Sequence, residues 1–203
     1  GGEDRVAMLV DVVGPVQLSQ AMRILGPSYL DGMTRKAASA IKQRLAGKGA
    51  LYHVGLTQFA TILPGQDAKA LYARIESHLT ELADPALGYD RAGISPAVGL
   101  MPFRVGDVSA AQLLRSVHGA AQDARNGDTS IGFYSALLDN LHQRRFALIA
   151  GLREALGAPG QLSLHFQPRI DLQTGRCEGA EALLRWSHPT LGHISPGEFI
   201  PLA

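Results

Sequence analysis

The stretch LYHVGLTQFATILPG, residues 51–65, has the pattern of two short strands joined by a tight turn. Apolar side chains precede and follow the turn: Leu51 and Val54, then Phe59, Ile62 and Leu63. Gly55 supplies the backbone freedom that such a turn needs. Hairpin tips often display functional side chains, yet residues 55–58 carry no charge. The stretch therefore predicts a β-hairpin with a neutral tip.

The residues before the hairpin predict one buried strand and two helices. VAMLVDVV, residues 6–13, is an apolar run interrupted only by Asp11, which is typical of a strand buried on both faces. Pro15 suits the first turn of a helix that continues to about Leu25. A second helix ends near two glycines and has apolar residues at helical spacing: Leu30, Met33, Ala37, Ile41 and Leu45.

The residues after the hairpin predict a third helix and another strand. Asp67 is a good N-cap for this helix, and Pro85 marks its exit. GISPAVGLMPF, residues 93–103, reads as a strand in which Pro96 indicates a bulge or an edge position.

A fourth helix and a last strand close the first unit. Ser109 and Gln112 have the spacing of a capping box, and residues 131–134 follow as a strand. The order βααββαβαβ over residues 1–135 predicts an α/β fold, a sheet with flanking helices.

The organisation restarts after Ser135. A helix ends at Gly157, and QLSLHFQPRI, residues 161–170, alternates between apolar and polar residues. The loop 171–175 leads into RCEGAEALLRW, residues 176–186. A loop this short joins antiparallel neighbours, since a parallel pair needs a crossover of about a dozen residues.

Composition limits the classes of partner. The 203 residues carry 19 basic and 18 acidic side chains, a net charge of +1, and no run of either sign, which argues against nucleic-acid and membrane-surface binding. No apolar run approaches the roughly 20 residues of a membrane span. The single cysteine, Cys177, suits a reducing compartment, and we expect the protein in the cytoplasm. We expect Cys177 itself to be a small core residue. Because the chain starts Gly1-Gly2 without a methionine or signal peptide, we expect a piece of a longer protein, with room upstream for a sensor or anchor.

Three side chains invite a metal or functional interpretation. Asp11 at a strand end is interpreted as a cap of the next helix in preference to a metal ligand. Cys177 with two nearby histidines matches no standard zinc spacing. Glu181 lies within an apolar strand, where a carboxylate is costly unless it is paired or binds metal. From the residues alone, a functional role for Glu181 and a buried ion pair with Arg185 both stay open.

Residues 165–203 resemble the start of an EAL domain, the bacterial cyclic-di-GMP phosphodiesterase and receptor family. The resemblance rests on short motifs: Gln167-Pro168, Glu181-Ala182-Leu183, Arg185-Trp186, His188-Pro189, Ser195-Pro196 and Phe199-Ile200-Pro201. It implies that Glu181 binds a catalytic Mg²⁺ or Mn²⁺ in the full-length domain, and that Gln167, Leu183 and Arg185 belong to the cyclic-di-GMP site. Glu181 and Arg185 share one strand face about 13 Å apart, a separation that suits an extended dinucleotide.

Residues 1–135 resemble a GGDEF domain, the diguanylate cyclase family, with the signature hairpin at Gly55-Leu56-Thr57-Gln58-Phe59. Active members hold two divalent cations with a carboxylate at the end of the first strand and another at the hairpin's third position. Asp11 stands at the first place as a vestigial metal ligand, and neutral Thr57 stands at the second. Other matching positions also lack the family's polar groups: Val16, Ser19 and Asp128. Arg125 keeps one positive charge, and Asp31 one guanine contact.

The resemblance implies a (β/α)₈-type EAL barrel, of which residues 136–203 supply a linker helix and two antiparallel strands. We expect a fragment without activity of its own, and a parent that is a cyclic-di-GMP phosphodiesterase. Two alternatives stay open: a non-catalytic receptor, and a degenerate GGDEF domain that dimerises or senses GTP. Because two strands cut from a barrel expose an apolar face, we also expect self-association through this segment.

Overall fold

A computed structural model of the chain describes residues 2–65, 67–82 and 95–203. The chain divides into two compact units, residues 1–136 and 137–203. The first unit contains these elements: β1 (Asp4–Asp11), α1 (Pro15–Leu25), α2 (Pro27–Leu45), β2 (Leu51–Gly55), β3 (Gln58–Pro64), α3 (Ala68–Leu82), β4 (Ala97–Arg104), α4 (Ala110–Asn126) and β5 (Ile131–Phe133). This order confirms the predicted α/β fold.

The five strands form one sheet in the order β2-β3-β1-β4-β5. The central strand β1 pairs antiparallel with β3 and β4, and β4 pairs parallel with β5. Every residue of β1 from Val6 to Asp11 is buried, which confirms the prediction of a strand buried on both faces.

Alternate side chains of β1 enter two different cores, as the two-residue period of a strand requires. Val10 packs in a core with Ile41 of α2 and with residues of α3. Leu9 points to the other face and packs with Val117 of α4. The sheet therefore lies between two helical layers.

Two glycines let α4 approach the sheet closely. A Cβ at Gly99 of β4 would lie 1.9 Å from the carbonyl oxygen of Val117, and a Cβ at Gly132 of β5 would lie 2.4 Å from that of Ala120. Real Cβ atoms do not approach backbone oxygens this closely, so these positions require glycine.

Both predicted helix caps are confirmed. The amide of Ala70 donates to Asp67 Oδ2 at 3.0 Å at the start of α3, and the amide of Gln112 donates to Ser109 Oγ at 3.2 Å at the start of α4. The strand predicted over 93–103 begins at Ala97, and Ser95 and Pro96 precede it. Pro85 and residues 93–94 lie outside the described residues.

The second unit is a helix packed on a small sheet. Its elements are α5 (Ala136–Ala155), β6 (Leu162–Ile170), β7 (Cys177–His188), β8 (Gly192–Ile194), α6 (Pro196–Phe199) and a 3-10 turn (Ile200–Leu202). The strands pair in the order β6-β7-β8, both pairs antiparallel, which confirms the antiparallel pairing predicted from the short loop. Trp186 and Phe199 pack edge to face at 5.4 Å in a core with Leu148 of α5.

The two predicted strands are present, and β8 is a third that the sequence did not indicate, because three residues are too few to show an alternating pattern. One prediction for this unit is wrong. Cys177 was predicted to be a small core residue and is exposed, because β7 begins beside the hairpin loop, where Ile170 and Glu178 are exposed too.

Candidate functional site

The predicted hairpin tip is formed by β2 and β3, with Gly55 paired to Gln58. Leu56 is 69% exposed, whereas Thr57 is only 4% exposed and turns inward. The carbonyl oxygen of Thr57 accepts from the amide of Val12 at 3.0 Å, which ties the tip to the end of β1. Phe59 is buried and stacks on His53 at 5.0 Å. The hairpin thus brings Thr57 to Asp11.

Asp11 is buried at the end of β1, where its carboxylate makes polar contacts. Its Oδ1 accepts from Thr57 Oγ1 at 3.3 Å, and its Oδ2 accepts from Gln122 Nε2 at 3.3 Å. The interpretation of Asp11 as a helix cap is wrong. The N-cap of α1 is Gly14, which makes no side-chain cap hydrogen bond, and the Asp11 carboxylate instead accepts from Thr57 and from Gln122 of α4.

Arg125 of α4 completes the surroundings of this carboxylate. Its Nη2 lies 3.4 Å from Asp11 Oδ2 and donates to the backbone oxygen of Asp11 at 2.7 Å. Its Nη1 donates to the carbonyl oxygen of Ser95 at 2.6 Å. The two side chains are 10% and 4% exposed, so the ion pair lies almost entirely out of water.

This cluster does not fit the divalent cations of an active cyclase. Within residues 2–65, 67–82 and 95–203, no group of three or more His, Cys, Asp or Glu residues is arranged to hold a metal ion. Thr57 supplies a hydroxyl where a second carboxylate is needed, and Arg125 places a positive charge beside Asp11. The other positions matched to the cyclase family are exposed: Val16, Ser19, Asp31 and Asp128.

A second group of predicted site residues meets on one face of the β6–β7 pair. Gln167 lies directly opposite Glu181, His165 opposite Leu183, and Ser163 opposite Arg185. Residues opposite each other in an antiparallel pair point to the same face. Gln167 and Glu181 are exposed, and Leu183 is half-buried. Because the sequence predicted a dinucleotide site here, we call this surface the dinucleotide face; its residues are Gln167, Glu181, Leu183, Arg185, Ser163 and His165.

The exposure of Glu181 excludes one of the two interpretations left open by the sequence. A buried ion pair with Arg185 is wrong, because the Glu181 side chain reaches solvent. Arg185 is half-buried, and its Nη1 donates to the carbonyl oxygen of Leu184 at 3.2 Å.

The loop between β6 and β7 sets the register of the dinucleotide face. Asp171 Oδ1 accepts from the amides of Gln173 at 2.6 Å and Thr174 at 3.0 Å. These backbone hydrogen bonds to its ionised form lower the pKa of Asp171. Gly175 has φ +66°, a left-handed conformation that glycine adopts without strain. A slip of one residue would move Glu181 to the opposite face.

The far end of β7 is held by polar contacts of its own. His188 Nδ1 accepts from the amides of Thr190 at 3.2 Å and Leu191 at 3.1 Å, so His188 closes the β7–β8 turn.

An ion pair joins α5 to α6, where the guanidinium of Arg144 pairs with Glu198. The hydrogen bond from Arg144, helped by its charge, lowers the pKa of Glu198 against an opposing effect of desolvation.

Sequence reasoning did not assign two residues to these sites. Gln122 contacts Asp11 from 111 positions away, and nothing local in the sequence indicates that contact. His165 lies on the dinucleotide face beside Gln167, and the alternation of residues 161–170 was the signal that could have identified it.

Comparison with known proteins finds a family match within the second unit. The family model described as "EAL domain" matches residues 149–203, which include β6, β7 and β8. The fold of residues 1–136 is that of solved GGDEF domains. One is the GGDEF domain of the PA2567 protein from Pseudomonas aeruginosa, with TM-score 0.54 and 20% identity over 66% of this chain and 85% of that one.

The chain is a tandem of a GGDEF-type fold and a segment that matches the EAL domain.

A structure containing both parts of the tandem is also similar in fold. The S helix-GGDEF-EAL portion of Vibrio cholerae LapD, bound to c-di-GMP, matches with TM-score 0.53 and 16% identity, covering 100% of this chain and 46% of that one. At this identity the likeness concerns the fold alone.

Curated relatives match along most of the tandem. Cyclic di-GMP phosphodiesterase PA2567 of Pseudomonas aeruginosa is 34% identical over 197 residues, 95% of this chain and 33% of that protein. Oxygen sensor protein DosP of Escherichia coli is 27% identical over 200 residues, 98% of this chain and 25% of DosP. The chain thus spans a third or less of the length of these relatives. None of the helices in the described ranges has the length and apolarity to span a bilayer.

Proposed function

We infer that the GGDEF–EAL tandem is part of a cytoplasmic cyclic-di-GMP signalling protein whose EAL domain hydrolyses cyclic-di-GMP. Support comes from the EAL match over residues 149–203 and from a 34% identical relative that is named a cyclic di-GMP phosphodiesterase. The observation that carries the proposal is the β6–β7 register. It places Gln167 opposite Glu181 and aligns Leu183 and Arg185 on the same face.

The dinucleotide face offers suitable groups for a phosphodiester ligand. We assign Arg185 to the phosphates, because its planar guanidinium can donate two parallel hydrogen bonds to phosphate oxygens. Gln167 can donate and accept at the same ligand, and Leu183 gives a base an apolar contact. The alternation of polar and apolar side chains along one face suits a ligand with both characters.

Glu181 is the group we assign to a divalent cation in the full-length EAL domain. Its carboxylate is exposed, and Gln167 opposite offers an amide oxygen, so the residues present fit part of a Mg²⁺ or Mn²⁺ site. Bound there, such a cation would supply Lewis-acid chemistry to the scissile phosphodiester. Further carboxylates are needed to complete six-fold coordination, and we expect them from the remainder of the EAL domain.

The GGDEF-type unit is proposed to make no cyclic-di-GMP. The hairpin Gly55-Leu56-Thr57-Gln58-Phe59 offers no carboxylate to a metal, and Arg125 contacts the Asp11 carboxylate. We propose a regulatory role, as a dimerisation or GTP-sensing module.

We also propose a domain boundary after residue 135, followed by a linker helix and the start of the EAL domain. The division into compact units after Ala136 supports it, as does the packing of Leu148 and Ala155 of α5 against Trp186. An incomplete EAL domain would have no activity of its own.

Self-association through the second unit is a further part of the proposal. Leu164 and Phe166 of β6 are 56% and 65% exposed on the face opposite to Glu181. Such a patch favours contact with a second copy. Light scattering of the chain should give a dimer or larger mass. Leu164→Gln/Phe166→Gln should lower that mass, while Leu172→Gln, which removes a 97% exposed leucine from the loop, should not.

The experiment that tests the phosphodiesterase assignment uses the longer protein with a complete EAL domain. Purified protein with Mn²⁺ should hydrolyse cyclic-di-GMP to a linear dinucleotide. Binding of cyclic-di-GMP without hydrolysis would favour the receptor alternative. The absence of both binding and hydrolysis would contradict the assignment of the dinucleotide face.

A further inference from the structure

The carboxylate of Asp11 is neutralised from within the chain. It is buried at the end of β1, where an uncompensated negative charge would be strongly unfavourable. Arg125 Nη2 lies 3.4 Å from its Oδ2, and Thr57 and Gln122 contact the two carboxylate oxygens. The charge is therefore compensated, and both carboxylate oxygens have a partner, without an ion.

The guanidinium of Arg125 also joins separate segments of the unit. It donates to the backbone oxygen of Asp11 at the end of β1 and to that of Ser95 before β4. A Cβ on Gly14 would lie 3.2 Å from its Nη1, so the backbone before α1 lies close to it as well. The guanidinium of Arg125 thus connects α4, the end of β1 and the segment that enters β4.

A divalent cation would compete with these contacts. At Oδ2 it would compete with Arg125 and Gln122, and at Oδ1 it would lie beside the Thr57 hydroxyl and close to the guanidinium. Thr57 and Gln122 are neutral, and two positive charges close together in a buried site repel each other.

We propose that the guanidinium of Arg125 takes the place of a divalent cation at Asp11, so that the GGDEF-type unit is held together without metal. Removing the guanidinium opens a cation site at Asp11. The inference concerns the stability of residues 1–136 and holds whether or not the EAL domain of the longer protein is active.

The test is thermal unfolding of the 203-residue chain in EDTA and in millimolar Mn²⁺. Wild type should have the same Tm in both. Arg125→Met should lower the Tm in EDTA by on the order of 10 °C, because a buried carboxylate loses its partner. Mn²⁺ should then raise the Tm of this variant by several degrees. Arg23→Met, at the exposed end of α1, controls for the loss of one positive charge.

A double variant separates charge compensation from packing. Asp11→Asn/Arg125→Met carries neither charge, so it should be more stable than Arg125→Met in EDTA and should not respond to Mn²⁺. Equal Mn²⁺ stabilisation of wild type and Arg125→Met would overturn the proposal. So would an Arg125→Met protein that folds but ignores Mn²⁺.

A measurement on wild type covers the case in which Arg125→Met does not fold. Mn²⁺ is paramagnetic and broadens the NMR signals of amides near a bound ion. The amide signals of Val12 and Thr57 should broaden no more than those of exposed loops. Selective broadening of these two signals would show a cation beside Asp11 in wild type and overturn the proposal.

Discussion

Gln167 of β6 lies directly opposite Glu181 of β7, so an amide and a carboxylate side chain project from the same face of the second unit. The Asp171 loop maintains this pairing through two hydrogen bonds from backbone amides. Arg185 projects from the same face, four residues further along β7. The predictions for the EAL domain follow from this arrangement.

Glu181→Ala should abolish hydrolysis of cyclic-di-GMP by the longer protein, because the variant lacks the proposed cation ligand of β7. The measurement is turnover with Mn²⁺, together with calorimetry of cyclic-di-GMP binding. Glu178→Ala is the matched control, since Glu178 is the extra residue of the β-bulge on the same strand. Normal turnover by Glu181→Ala would mean that this strand is not part of the catalytic site.

Arg185→Ala should weaken cyclic-di-GMP binding to the longer protein more than it slows hydrolysis. A hydrogen bond to a charged group contributes about 1.5–3 kcal/mol, so we expect Kd to rise roughly 10- to 150-fold. Arg185→Lys should recover only part of the loss, because an ammonium group cannot form the two parallel bonds. Arg176→Ala, in the exposed loop, should bind normally. An unchanged Kd for Arg185→Ala would contradict the phosphate assignment.

The 203-residue chain should form no cyclic-di-GMP from GTP with Mg²⁺ or Mn²⁺. Thr57 has no charge to bind a second cation, and Arg125 pairs with Asp11. Chromatography of overnight reactions checks this expectation. Product formation that Asp11→Ala abolishes would show an active cyclase site. Calorimetry is the companion measurement, and a tight GTP site would favour the GTP-sensing role of this unit.

Gly99→Ala should destabilise the first unit by about 3 kcal/mol or more, because the new methyl group collides with the backbone of α4 at Val117. Urea unfolding of the chain measures the loss. Gly119→Ala is the matched control within α4, since a Cβ there meets nothing within 4 Å. That variant should be stabilised by up to about 1 kcal/mol, because alanine favours helix. Equal stabilities of the two variants would contradict the close approach of α4 to β4.

The Arg144–Glu198 pair should add acid sensitivity to the second unit. The pKa of Glu198 is lowered in the folded chain, so its stabilising effect is present above the unfolded value of about 4.3 and is lost as pH falls through the lower folded value. As the pH falls from about 5 to 3, the Tm of wild type should therefore decrease more steeply than the Tm of Glu198→Gln. Both side chains are at least one-third exposed, so the difference will be small. Parallel Tm curves would contradict this contribution.

Patterns in the sequence predicted most elements of the fold because each pattern is local. The apolar run at residues 6–13 indicated the buried central strand, and Asp67 and Ser109 indicated helix starts. The short loop after Ile170 established antiparallel pairing. By contrast, three-residue β8 has no period to detect, and the exposure of Cys177 depends on which elements pack against the start of β7.

The sequence by itself determined the α/β order of the first unit, the neutral hairpin tip and the shared strand face of Glu181, Leu183 and Arg185. These features depend on residue type and on spacings of two to four positions. Only the tertiary structure decided what Asp11 does. Its partners Thr57, Gln122 and Arg125 lie 46, 111 and 114 positions away along the chain. Their convergence depends on how α4 packs on the sheet, because a buried charge is neutralised by whichever group the fold brings within a few ångströms.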